Sequence, residues 1–442
     1  VIETPPALGP FFQQAATRAR EVEPVRARGR IAQVVGTIAE ATGLPLPLGS
    51  RVLCEARGRR WELEVIGFRG RTLLLMPYDS VEGLAPGLPV EAHPSANLVP
   101  AGQGLLGRIL DAFGNPLDEH GPLSDITWQK PRLGTLNPVQ RARIDAPLAT
   151  GVRAIDSCLT IGRGQKIGIF SGSGVGKSVT LGMIARNTAA DVNVIALIGE
   201  RGKEVREFIE NDLGEAGLKR SVVVVVTSDE SPLRRLKAAQ LATAIASQYR
   251  AEGKQVLLMM DSLTRVAHAQ RELGLAVGEP PTSRGYPPSV FALLPQLLEQ
   301  AGPTAEGAIT GIYTVLVEGD DFNEPVADLA RSILEGHIVL SRQLASAGHY
   351  PAIDVLESLS RCFSQIVPKE QQAHAATLRG QLSAWNEVKD LVQIGAYKPG
   401  SNPETDTLLK KLPAIQGFLR QGVDEGATMG TTLAALKVVA QG

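Results

Sequence analysis

Two hydrophobic periodicities divide this chain. Between Gly29 and His93, short apolar runs at 31–38, 51–56, 61–68 and 72–76 alternate with glycine turns. In the third run Trp61, Leu63 and Val65 fall on one face of a strand and Glu62 and Glu64 on the other, as a half-buried strand requires. Several such strands predict a small barrel, which closes its own edges. From Gly151 to about Ile366, continuous apolar runs such as 192–198 and 256–260 alternate with amphipathic stretches, the pattern of a parallel sheet covered on both faces. One helix is legible from end to end: Ser231 as N-cap, Pro232 at the first position, Leu236 and Ile245 on the apolar side, Gly253 just past the end. Beyond Val367 the spacing is helical throughout, with breaks expected at Lys398-Pro399-Gly400 and at Leu412-Pro413. Pro94 to Thr150, rich in Pro and Gly, reads as a linker. The expected regions are therefore 1–94, a terminal segment and barrel; 95–366, linker and α/β domain; and 367–442, a helical domain. No internal repeat or low-complexity tract interrupts them.

The chemistry is concentrated where a buried strand runs into a glycine-rich turn. Residues 166–178, Lys-Ile-Gly-Ile-Phe-Ser-Gly-Ser-Gly-Val-Gly-Lys-Ser, read as strand, phosphate-binding loop and first helical turn. Gly172, Gly174 and Gly176 let successive amides approach a polyphosphate at a helix N-terminus. The candidate nucleotide-binding residues are Gly172, Ser173, Gly174, Val175, Gly176, Lys177, Ser178 and Val179. Lys177 can reach the β- and γ-phosphates, and the Ser178 hydroxyl can ligate Mg²⁺. The strict pattern has glycine where this chain has Ser171. The run 256–260 delivers Asp261 at a strand end, the crevice side of an open α/β sheet, as a second Mg²⁺ group or as a helix N-cap before Leu263. The run 192–198 delivers Glu200, a carboxylate placed to take a proton from water. ATP and Mg²⁺ are the expected cofactors.

Five ordered segments together resemble the rotary-type hexameric ATPases, and within them the ATPases of type III export systems. They are Ser-Gly-Ser-Gly-Val-Gly-Lys-Ser (171–178), Leu-Ile-Gly-Glu-Arg-Gly (197–202), Met-Met-Asp-Ser-Leu-Thr-Arg (259–265), Gly-Glu-Pro-Pro-Thr-Ser-Arg-Gly-Tyr-Pro-Pro-Ser-Val (278–290) and His-Tyr-Pro-Ala-Ile-Asp (349–354). Segments 40–49, 65–68 and 75–77 resemble the flagellar branch rather than the virulence-injectisome branch. The resemblance implies a RecA-like P-loop core with a parallel sheet, a small N-terminal β-barrel before it and an α-helical C-terminal domain after it. It implies Glu200 as the general base, Arg361 as an arginine finger reaching a neighbour's γ-phosphate, and Arg201 and Arg265 near the phosphates. For Tyr350 it implies stacking on adenine; packing in a core is the alternative reading. It further implies a homohexamer that hydrolyses Mg-ATP at the cytoplasmic face of the inner membrane. Implied partners are an axial coiled-coil stalk met by the Pro-rich, stiff and exposed loop 279–288, a peripheral stator or regulator, the export gate, and substrate–chaperone complexes. The apolar stripe Phe11, Phe12, Ala15, Ala16, Ala19 and Val22 reads as a terminal helix packed on the barrel, or as a docking surface for that regulator or for a membrane.

Composition changes this picture little but excludes some classes. Lys plus Arg total 45 against 46 Asp plus Glu, so no basic footprint for nucleic acid exists. That balance argues against an RNA translocase of the Rho type, which shares the core fold. A non-catalytic rotary subunit, the other alternative, would carry an amide where this chain has Glu200. Three dispersed cysteines and six scattered histidines suggest neither a metal site nor a disulfide framework, and a reducing compartment. No apolar run approaches membrane-span length, and the N-terminus lacks the layout of a secretory signal.

Overall fold

The computed structural model describes residues 28–93, 98–132, 134, 138–139, 141–317, 319 and 321–441. The apolar stripe at 11–22 lies outside them. Two compact units are present, Val1–Ala96 and Asn97–Gly442.

In the first unit the strands Arg28–Val35, Ile38–Thr42, Thr72–Pro77, Arg59–Arg69, Arg51–Ala56 and Pro89–Ala92 pair in that order and close into a barrel. The run expected at 31–38 is in fact a hairpin, because Gly36 takes φ 57° and turns Val35 back onto Ile38. Trp61, Leu63 and Val65 point into the barrel core. Glu64, on the opposite face, is covered too and accepts a hydrogen bond from the Tyr78 hydroxyl.

The second unit is built on a nine-stranded sheet. Its order is Ile353–Ser360, Gly336–Leu340, Lys166–Ser171, Ala308–Leu316, Gln255–Asp261, Val192–Glu200, Ser221–Thr227, Ile109–Leu110, with the short Gly302–Pro303 beside Ala308–Leu316. All these strands are parallel except Ile353–Ser360 and Gly302–Pro303. Alternate residues of each strand feed two cores. In Val192–Glu200, Val194, Ala196 and Ile198 meet helices Pro232–Ala251, Leu263–Ala276 and Pro288–Leu298. Ile195 and Leu197 face the opposite core, shared with the phosphate-loop helix Lys177–Asn187 and the C-terminal helices Lys369–Gln393, Pro403–Leu419 and Met429–Gln441. Burial on both faces is what the unbroken apolar runs require.

Two expectations need correction. The supposed linker supplies a strand: Ile109 and Leu110 pair with Val223 and Val224 at the sheet edge, and Leu105, Leu110 and Ala112 enter the core. Pro413 does not end a helix but lies inside Pro403–Leu419. Leu408, Ile415, Phe418 and Leu419 of that helix are buried, and burial of roughly 1.5–3 kcal/mol per large apolar side chain offsets the roughly 3 kcal/mol an interior proline costs. The break at 398–400 and the Pro232–Ala251 helix stand as read, with the Ser231 hydroxyl accepting from the Arg234 amide.

Candidate functional site

The strand Lys166–Ser171 ends in the loop 172–176, and the helix Lys177–Asn187 begins immediately after it. Gly174 and Gly176 have φ 75° and 86°, a backbone region glycine occupies without penalty. No side chain caps this helix, so its first-turn amides remain for an anion, the arrangement a polyphosphate needs. Ser173 and Gly174 are exposed, Val175 is anchored in the core, and Ser178 and Val179 are half-buried. Ser171 is buried with its hydroxyl unpartnered.

Three chemically active side chains converge from three elements. The Lys177 ammonium donates to Asp261 Oδ1 at 2.5 Å and to Glu200 Oε1 at 3.0 Å. Asp261 Oδ1 also accepts from the hydroxyl of Thr314 at 2.7 Å. Burial disfavours the ammonium, but the charges of Asp261 and Glu200 outweigh it and hold Lys177 above its usual range. Burial raises the Asp261 carboxyl, with Lys177 opposing. Two carboxylates share one ammonium in a largely buried site beside the exposed loop. Such a cluster has a deficit of positive charge, and it fits Mg²⁺ held by Ser178, Asp261 and substrate phosphates rather than by an all-protein cage. Among the described residues no group of three or more His, Cys, Asp or Glu forms such a cage.

Glu200 owes its position to Gly199. The strand register shifts between Ile198 and Glu200, Gly199 takes φ 72°, and a Cβ there would lie 3.0 Å from Arg265 Cγ. The Arg265 stem thus passes against Gly199, and its Nε is buried without a partner, an orphaned donor beside the site that suits a phosphate oxygen. Arg201 points elsewhere. Its side chain is exposed and pairs with Glu204 at 3.4 Å.

Topology separates Tyr350 from Arg361. Ser171 is level with Leu340, Leu340 with Ile353, and Gly336 with Ser360. Tyr350, just before Ile353, therefore lies at the phosphate-loop end of the sheet. Its ring carbons stand 3.4 Å from where a Cβ on Gly176 would be, and it is 44% exposed, not packed in a core. Arg361 lies at the opposite end, its amide on the Glu335 carbonyl and its guanidinium only 3.4 Å from the Arg331 carbonyl. The four strand steps between those ends span about 13 Å at about 3.3 Å each, so Arg361 is not brought to its own chain's phosphate loop.

Thr314 was not singled out from sequence. Its signal is a hydroxyl inside the buried run Ala308–Leu316, on a strand whose Tyr313 is level with Met260. The loop 279–288 is only partly exposed. Thr282 to Arg284 face solvent and Arg284 pairs with Asp321 at 2.9 Å, but Tyr286 is buried, stacked on His268 with its hydroxyl 3.1 Å from His268 Nε2.

A phosphate loop at the end of a parallel strand, with lysine, acidic strand ends and an open nucleoside side, defines a nucleotide-binding P-loop α/β protein. The family model for the ATP synthase alpha/beta family nucleotide-binding domain matches residues 151–360, and that for the T3SS EscN ATPase C-terminal domain matches residues 367–438. The chain is 52% identical over 417 residues to the flagellum-specific ATP synthase of Bacillus subtilis strain 168, covering 92% of this chain and 94% of that protein. The assembled ATPase EscN of the enteropathogenic E. coli type III secretion system superimposes with a TM-score of 0.88 at 42% identity, over 93% of this chain and 100% of that one. EscN in complex with its central stalk EscO superimposes with a TM-score of 0.86 at 41% identity, with the same coverage. The chain belongs to the flagellar and type III secretion ATPase family, and it is an ATPase.

Proposed function

We propose that this chain is the Mg²⁺-dependent catalytic subunit of a homohexamer at the cytoplasmic face of the inner membrane, powering a type III export apparatus of the flagellar kind. The observation that carries this reading is the convergence of Lys177, Glu200 and Asp261 beside the phosphate loop. Lys177, Glu200 and Asp261 meet at the phosphate loop, with Ser178 next in the same helix, while Arg361 stands about four strand steps away, where it can serve only a neighbour. When bound, Mg²⁺ would screen the triphosphate charge, with Ser178 and Asp261 as its protein groups. Lys177 exchanges a carboxylate for phosphate oxygen, and Glu200, released from it, accepts a proton from the attacking water. Arg265 offers its unpartnered Nε to a phosphate; Arg201, exposed and paired with Glu204, would have to leave that pair to join it. Tyr350 provides the stacking surface for adenine.

The exposed tip at 282–284 is the surface assigned to an axial coiled-coil stalk; a central stalk as partner is supported by EscN, 41% identical, in complex with its central stalk EscO. A peripheral stator or regulator, the export gate and substrate–chaperone complexes complete the proposed partners, with peripheral membrane association and no nucleic acid. The flagellar assignment is supported by the relative at 52% identity. The 42% likeness to EscN favours an injectisome as the second reading, and motor genes beside this one would decide for the flagellum.

The chemical test compares two variants. Lys177→Ala should lose productive Mg-ATP binding. Glu200→Gln should bind Mg-ATP like the wild type while turnover falls by about 10² to 10⁴. Retained steady-state hydrolysis in Glu200→Gln would refute the assignment of the base.

A further inference from the structure

An exposed aromatic ring can recognise a base only if something fixes where it stands, because a ring free to swing loses orientation with every bond it could make. Tyr350 is 44% exposed. Its carbonyl, however, accepts the backbone amide of Gln421 at 2.9 Å. Gln421 follows the helix Pro403–Leu419, is only 5% exposed, and uses both ends of its side-chain amide. Oε1 accepts from the Arg153 amide at 2.8 Å, and Nε2 donates to the carbonyls of Gly151 at 2.7 Å and Glu425 at 2.5 Å. Arg153 grips the same turn from outside, donating to the carbonyls of Phe418 and Arg420 and pairing with Glu425. One buried glutamine thus joins the start of the ATPase core, the C-terminal helices and the nucleoside side of the site.

We infer that Gln421 is a positioning residue for purine recognition: it holds Tyr350 in place over the phosphate loop, so that affinity for the base depends on it while affinity for the phosphates does not. The inference rests on reading Tyr350 as the adenine-stacking residue. Removing the Gln421 side chain leaves its amide bonded to Tyr350 but takes the acceptor from the part-buried Arg153 amide and leaves the Gly151 carbonyl only the longer bond from the Ala427 amide at 3.4 Å, which frees the turn that carries it. The phosphate loop has no contact with Gln421 among these bonds, so the two halves of the nucleotide should respond differently.

The test measures binding of ADP and of inorganic tripolyphosphate, each with Mg²⁺, to the full chain by titration calorimetry. Gln421→Ala should weaken ADP by about five- to tenfold while tripolyphosphate stays within about twofold, since part of the base-stacking contribution is lost and no phosphate contact is. Gln421→Met, which preserves side-chain bulk without hydrogen bonds, should behave alike and carries the test if the alanine variant does not fold. Tyr350→Ala should weaken ADP at least as much, and adding Gln421→Met to it should cost little more, because both changes act on one contact. Equal weakening of both ligands would show a general structural role and overturn the inference. So would ADP binding unchanged in Gln421→Met while Tyr350→Ala weakens it. If Tyr350→Ala itself leaves ADP affinity unchanged, the stacking reading fails and takes this inference with it.

Discussion

Replacing Arg361 by Ala gives the sharpest test of how the site is completed. The guanidinium stands at the far end of the sheet from the phosphate loop, separated from it by the length of Gly336–Leu340, about 13 Å at about 3.3 Å per residue. No side-chain rotation closes that gap, so any contribution to hydrolysis comes from a neighbouring subunit. A finger of this kind is worth about 10³ to 10⁵ in rate, and the variant should lose at least the lower figure without losing ATP affinity to a comparable degree. Mixing supplies the second magnitude. In randomly mixed rings of Arg361→Ala and Lys177→Ala chains, a competent site needs a phosphate loop from the first and an arginine from the second. Each occurs with a chance of about one half, so about one quarter of sites should recover. The assay is steady-state phosphate release after co-assembly at a series of mixing ratios, with each variant alone as baseline. Activity at the sum of the two parents, at every ratio, would refute action between subunits.

Further outcomes follow from how far individual side chains are buried. Tyr286→Ala should lower the melting temperature, since a buried aromatic removed from its packing costs about 3 kcal/mol or more, whereas Arg284→Ala should melt as the wild type and blunt only stimulation by a coiled-coil stalk; equal stimulation of wild type and Arg284→Ala would place stalk sensing elsewhere. Asp156 is wholly buried, and burial pushes its carboxyl up to about 6 from 3.8, against the hydrogen bonds it accepts from Thr150 and Gly151. Because the folded value is the higher one, its contribution is fully favourable below about 3.8 and is lost as pH rises through about 6, about 3 kcal/mol in all. The difference in unfolding free energy between Asp156→Asn and wild type should shift by about 2.4 kcal/mol of this between pH 4 and 7, and a pH-independent difference would refute it.

The phosphate loop, Glu200 and Asp261 were legible because their placement is local: each ends an unbroken apolar strand, and parallel strands end on one side of a sheet. Arg361 and Tyr350 were legible only by resemblance. Their opposite positions depend on one strand running antiparallel to its neighbour, which no local spacing records. Tyr286 was misjudged because prolines on both sides describe the backbone of the loop and not the ring, which is drawn inward by His268 on a separate helix. Pro413 misled for a related reason, since a proline's cost is local and the burial that offsets it is not. Gln421 carried no signal at all: its partners Arg153 and Tyr350 are remote in the chain, and a lone glutamine after a helix ordinarily faces water.

The strand Ile109–Leu110 has a consequence for where this protein can be divided. The similarity to the nucleotide-binding domain begins at Gly151, yet the valine-rich strand Ser221–Thr227 is paired on its outer side with Ile109 and Leu110, about forty positions before Gly151, fastened further by Gly107 donating to the Ser221 carbonyl and Arg108 clasping Asp118. A fragment cut at Gly151 would leave the sheet edge at Val223 and Val224 without its partner strand, the kind of edge on which chains stack into aggregates. The stretch that matches the nucleotide-binding domain is therefore smaller than the sheet it belongs to, and the polypeptide emerging from a ribosome supplies the guard strand before the edge it must protect.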